Sequence, residues 1–326
     1  MRKAKYLLSL IVLSISFVAC GTLKGTVTIP ANTSSEGETA TSLPGGTQAK
    51  GSKGVRDNSI RVLEPVASGV YEFSNADAAI DASNASEGYV MVKYTGNASK
   101  VRMLIETPKG NTYNYLMALD GQYDVYPLSE GSGTYKIGVY ENLHDDKYAA
   151  AFTQSVNVTL KDEFSMFLYP NAYVDFNANS NAVKKGQELA AGANSDLEVV
   201  QNVYHYIIKN VSYDYDKAAT VQSGYIPNVD STLSTCTGIC FDYASLMGAM
   251  LRSQGIPTRL EIGYAGTEYH AWISVYIKDV GWIDKVIQFD GKKWTLMDPT
   301  LGSYASSSIV KRYREDDTYY QLKFKY

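Results

Sequence analysis

The chain has 326 residues with a formal net charge of −4, 30 Lys and Arg against 34 Asp and Glu, and 45% hydrophobic residues. That length suits two ordinary domains, and a mildly acidic balance with scattered lysines argues against nucleic acid as a partner. Three cysteines are too few for a disulfide framework, so each needs its own explanation.

The start reads as an export signal, residues 1–19. Arg2, Lys3 and Lys5 give a positive beginning, and residues 6–19 are apolar apart from three serines. That run falls short of the roughly 20 residues a spanning helix needs, and it fits the apolar region of a signal peptide. It ends Phe17-Val18-Ala19-Cys20-Gly21, which resembles a bacterial lipobox, with Phe17 where leucine is usual. The resemblance implies cleavage before Cys20 and lipidation of its sulfur, so that the protein would be exported and held at the cell membrane by acyl chains. Cleavage removes three positive charges and no acids, taking the net charge from −4 to −7 (−4 − 3).

Residues 20–58 are rich in Gly, Ser, Thr, Ala and Lys without a sustained apolar period. Such a composition buries too little surface to fold and reads as a tether. Residues 59–180 change character. Short Tyr- and Val-rich runs at 89–94, 101–106, 135–140 and 155–160 alternate with turn residues such as Asp120-Gly121 and Gly131-Ser132-Gly133. This spacing predicts an antiparallel β-sandwich. It contains one histidine, His144, beside Asp145 and Asp146, which reads as a solvated loop.

The third region, 181–326, has helical steps first and strand-like runs afterwards, an α+β arrangement. Leu197, Val200, Val203, Tyr204, Ile207 and Ile208 recur at three- and four-residue intervals behind Ser195-Asp196-Leu197-Glu198, a capping-box pattern. His205 falls on this helix and reads as a surface residue. A second helix is predicted from about Cys240 to Gln254, stopped by Gly255 and Pro257. Strand-like runs follow at 258–264, 268–278, 286–289 and 293–297, with Asp290-Gly291 as a hairpin turn between the last two.

Three short motifs occur in order here: Thr237-Gly238-Ile239-Cys240-Phe241-Asp242-Tyr243, Tyr269-His270-Ala271-Trp272 and Met297-Asp298-Pro299-Thr300. Cys240 falls at a predicted helix N-terminus, where free N–H groups and the helix dipole favour a thiolate. His270 lies within a strand, a rigid support for a base. Asp298 ends a strand before a proline turn, where a carboxylate can orient an imidazole. Period two puts His270, Trp272 and Ser274 on one face of their strand. The three groups converge if the helix packs on that face. A zinc site of Cys236, Cys240 and His270 lacks a fourth ligand, so no metal or cofactor is expected. A Cys236–Cys240 disulfide would be a way of switching the thiol off.

Gly-x-Cys-x-Asp-Tyr, His-Ala-Trp and Asp-Pro-Thr in this order resemble the transglutaminase-like superfamily, a branch of the papain-like thiol enzymes. The resemblance covers roughly residues 195–303, including Val211-Ser212-Tyr213-Asp214-Tyr215. It implies a papain-like α+β domain with Cys240 as nucleophile, His270 as base and acid, and Asp298 as orienting carboxylate. It also implies a peptide or protein substrate, acyl transfer through a thioester, and hydrolysis or transamidation as the outcome. The rival reading is a surface module that binds peptide or cell-wall polymer without catalysis.

Overall fold

The computed structural model describes residues 56–265, 267–289, 294–296 and 320–326. Cys20, the export signal, nearly all of the tether and Asp298 lie outside the described residues.

The first half is the expected antiparallel β-sandwich. Its strands are β1 (Glu72–Ser74), β2 (Ala78–Asp81), β3 (Tyr89–Tyr94), β4 (Val101–Glu106), β5 (Thr112–Leu116), β6 (Asp124–Pro127), β7 (Gly133–His144) and β8 (Lys147–Val158). They form two four-stranded sheets, ordered β1-β2-β3-β6 and β5-β4-β7-β8. Alternation does the sorting: Val101, Met103 and Ile105 of β4 and Tyr135, Ile137 and Val139 of β7 are buried, while their neighbours in sequence are more exposed or glycine. His144 is exposed at the end of β7, 3.3 Å from the Asp145 carboxylate.

The second half begins with α1 (Asn181–Ala190) and α2 (Asp196–Asn210), followed by β9 (Ser212–Tyr213), α3 (Tyr215–Thr220), α4 (Val229–Thr235), β10 (Thr237–Gly238) and α5 (Cys240–Arg252). An antiparallel sheet follows, from β11 (Thr258–Ala265), β12 (Glu268–Ile277), β13 (Gly281–Phe289), β14 (Trp294–Leu296) and β15 (Tyr320–Lys325), ordered β14-β13-β12-β11-β15. The chain is therefore α+β with the sandwich first.

Local signals hold well for α2 and α5. Ser195 Oγ accepts from Glu198 N at 3.2 Å, but Glu198 reaches Asn194 N at 2.8 Å, one residue earlier than the usual capping box. Val200, Val203, Tyr204 and Ile207 are buried and His205 is exposed. Gly255 ends the turn after α5 at φ +72, the left-handed conformation that its sequence position suggests. Helix α1 was hidden by Gly186 in its middle. There a Cβ would stand 2.8 Å from the Met250 carbonyl oxygen, so the glycine is what lets α1 lie against α5.

The two halves share one core. Tyr115 of β5 touches Tyr126, Tyr173 and Tyr326 with ring centroids 4.8, 5.3 and 5.7 Å apart, and Tyr113 meets Phe324 at 5.1 Å. Most of these contacts are edge-on, a geometry that adds about 0.5–1.5 kcal/mol per pair beyond simple burial. The buried Glu130 carboxylate accepts from Tyr113 Oη at 2.8 Å and lies 3.6 Å from Lys325 Nζ. At the other side Arg56, close to the tether's end, binds Asp196 at 2.8 Å and the Gln254 carbonyl at 2.6 Å.

Arg252 is the fully buried cation of this core. Its guanidinium donates to the Thr258 carbonyl from both Nε (2.9 Å) and Nη2 (2.7 Å), and to those of Tyr169 and Tyr326 at 2.7 Å each. It thus ties α5, β11, the end of β15 and the segment leaving the sandwich to one point.

Candidate active site

The site is built on the entry into α5. Strands β9 and β10 pair in parallel, setting Tyr213 beside Gly238. A Cβ on Gly238 would lie 2.7 Å from Asp242 Cβ, so only glycine admits the turn that follows. Ile239 is extended, and its N–H donates to Asp242 Oδ2 at 2.8 Å. Asp242 is wholly buried and also accepts from Lys217 Nζ at 2.7 Å and from the Tyr225 hydroxyl. The motif aspartate therefore fastens the first turn of the helix.

Cys240 is the first residue of α5. The backbone N–H groups of Ala271 and Phe241 and the Tyr213 hydroxyl all pull the thiol down, favouring the thiolate. Burial acts the other way and wins, raising the thiol above its ordinary value. The depressed pKa suggested by helix position is thus reversed in this arrangement: sequence shows the helix terminus but not the depth at which the sulfur sits. The space beneath it is about 10 Å³, lined by residues including Tyr243, Met247, Ala271 and Ile273, close to the size of a single water.

His270 sits in β12 and is 9% exposed. Burial pulls its imidazole down to about 4, so the ring is neutral at pH 7. It stacks beside Trp272, with centroids 6.4 Å apart. Trp272 Nε1 and Ser274 Oγ both donate to the buried Glu261 carboxylate of β11, at 2.6 and 2.7 Å. This polar layer lies on one face of the sheet. Helix α5 packs on the other, against the Ala271, Ile273, Leu260 and Ile262 face.

The shared face expected of His270 and the helix is therefore not what forms. Cys240 lines one cavity with Ala271 and Ile273, next to the histidine in sequence, while strand alternation puts the His270 side chain on the opposite face. A hydrogen bond between the two is not among the contacts of the described residues. The reason is legible afterwards: Ala271, Ile273, Val275 and Ile277 are the apolar half of β12 and take the core side. Asp298, the third motif residue, lies outside the described residues.

Cys236 is exposed at the end of α4 with φ +53. Extended backbone from Thr237 to Ile239 separates it from Cys240. At about 3.3 Å per residue the two Cα atoms are ~13 Å apart, well beyond disulfide reach. A Cys236–Cys240 bridge would need α5 to unwind its entry. Sequence reading missed Lys217, Tyr225 and Glu261; of these, Lys217 and Tyr225 were findable only through their partner Asp242, already inside the cysteine motif.

Residues 183–299 match the model of the transglutaminase-like superfamily, so this stretch is a transglutaminase-like domain. The match contains Cys240, His270 and Asp298. The chain is 33% identical over 90 residues to the UPF0252 protein MJ1282 of Methanocaldococcus jannaschii, an alignment covering 24% of this chain and 26% of that protein. Among solved structures, a proposed cysteine protease from Cytophaga hutchinsonii aligns at 16% identity over 66% of this chain and 67% of its own, with a TM-score of 0.32. A proposed protease from Parabacteroides distasonis aligns at 14% identity over 61% of each chain, with a TM-score of 0.27.

Proposed function

We infer that this is an exported, lipid-anchored thiol enzyme that cleaves peptide or amide bonds through a thioester on Cys240. The observation that carries the reading is the sulfur at the head of α5, inside a transglutaminase-like domain, where the backbone N–H groups of Ala271 and Phe241 favour its thiolate. In the reaction the sulfur attacks the carbonyl carbon as His270 takes the thiol proton. The imidazolium returns that proton to the departing amine, and water then opens the thioester to a free acid. Asp298 holds the imidazole. For the proton transfer the His270 ring has to come to the helix side of β12, so substrate binding must shift the strand edge or the ring. Its position across the strand is also the observation that favours the second reading, a peptide-binding surface module with a residual thiol.

Hydrolysis and crosslinking share the thioester and differ in what reaches it. A crosslinking site must exclude water and guide an amine, and the short α+β unit offers few segments to build such a cover. Incubation with a peptide library and excess labelled amine, read by mass spectrometry, should yield mainly free acid. Mainly amine-linked product would make the enzyme a transamidase, and no product with either acceptor would leave the binding module.

The anchor rests on Cys20 after a short apolar run with a basic start. Cys20→Ala should release the protein from the membrane fraction or leave its precursor uncleaved. Unaltered processing and retention would argue against the lipid.

A further inference from the structure

The Asp242 carboxylate has no exposed surface and lies two residues from the sulfur, where a negative charge opposes thiolate formation. Its partners come from outside the helix. Lys217, on α3, donates from 2.7 Å, and its ammonium also lies over the Tyr225 ring, 4.3 Å from the centroid. Tyr225 donates its hydroxyl to the same carboxylate and meets Phe241, the residue after the cysteine, at 6.3 Å. Asp214 caps α3 by accepting from Lys217 N at 2.8 Å, while its own N–H bonds the Gly238 carbonyl at 2.9 Å. The base of the lysine is thereby fixed to the strand that leads into Cys240.

We propose that Lys217 and Tyr225 are positioning residues for Cys240: they hold and neutralise the carboxylate that fastens the first turn of α5, and so set the charge the sulfur meets on ionising. The inference rests on the thiol-enzyme reading. The other titratable groups facing the sulfur are Tyr213 from β9 and Tyr269 from β12, with His270 next in that strand. Among the groups named here, Lys217 alone carries a positive charge at pH 7. A bare Asp242 would hold the helix equally well through Ile239 N–H but would work against the thiolate. The lysine lets one carboxylate do the structural task without the electrostatic cost.

The test is the pH dependence of Cys240 alkylation by iodoacetamide in the full chain, read by peptide mapping. Lys217→Met should raise the midpoint by roughly half to one pH unit, the partial exposure of Lys217 limiting the shift. Lys217→Arg should restore it. Asp242→Asn should lower the midpoint even though it loosens the helix entry. A purely structural role would reduce stability in both variants without moving their midpoints in opposite directions. A Lys217→Met profile that overlays the wild type, or a shift in the same direction as Asp242→Asn, would overturn the proposal. If Asp242→Asn does not fold, the Met and Arg variants of Lys217 decide alone. Absence of peptide turnover in the wild type would sink the enzyme reading instead, leaving the alkylation profiles to judge Lys217 independently.

Discussion

Arg252→Ala should destabilise the protein by about 4 kcal/mol or more, lowering its thermal midpoint by about 10 °C or more. The carbonyl oxygens of Thr258, Tyr169 and Tyr326 all accept from this one guanidinium, Tyr326 O also from Leu260 N at 2.9 Å. Truncation takes a donor from all three, leaving Tyr326 O with Leu260 N, and opens a void where a large side chain stood. Burial pulls the guanidinium down only to about 9, so it remains charged at neutral pH and its hydrogen bonds keep their charge-assisted strength. Lysine has a point charge in place of the planar fork and should recover only part of the loss. Lys185→Ala, which removes a surface i,i+3 pair with Glu188, is the control and should change little. Thermal denaturation of the three variants makes the comparison; an Arg252→Ala midpoint within a degree or two of wild type would mean that the carbonyls find other donors.

Cys240→Ala should remove turnover altogether, and His270→Ala should lower kcat by about 10³-fold or more, because each takes away a group whose bond to the reacting atoms has no substitute. Asp298→Ala should cost less than either, since an imidazole that loses its orienting carboxylate can still accept a proton. His205→Ala and Cys236→Ser should leave kcat near wild type, both side chains being exposed and outside the motifs. Steady-state kinetics on a substrate found by the library screen would check the series. Equal activity in His270→Ala and wild type would remove the histidine from the mechanism and leave Cys240 in need of another base.

Sequence carried the local features and lost the non-local ones. The α2 and α5 helices, the stop at Gly255 and most strands are written in periods, caps and turns of the chain itself. By contrast, the N-terminus of α1 is capped by the Asp230 carboxylate, which accepts from Asn181 N and Ala182 N across 48 to 49 residues. No neighbouring signal announces that helix. The pairing of β15 with β11 is likewise a contact between distant segments. At the site, motif order points to Cys240 and His270 as candidates, but the choice of face on β12 turns on packing. The apolar run at 271, 273, 275 and 277 competes with the motif for the helix side, and apolar burial prevails. The thiol's environment was misjudged for the same reason, since a helix terminus is visible in sequence and a buried one is not.

The aromatic seam around Tyr115, Tyr173 and Tyr326 has a consequence for how such a protein can be rebuilt. A sandwich that merely carried the α+β unit could be exchanged for another spacer by cutting the chain between them. Here the rings of one half form the floor of the other, and the hydroxyl of Tyr113 accepts from the backbone N–H of Lys325 at 3.2 Å. Tyr173 also lies edge-on to Phe241 at 5.3 Å, directly beside the cysteine. A transplanted α+β half would arrive with an open, greasy wall just behind Cys240, so the two halves have to be moved together.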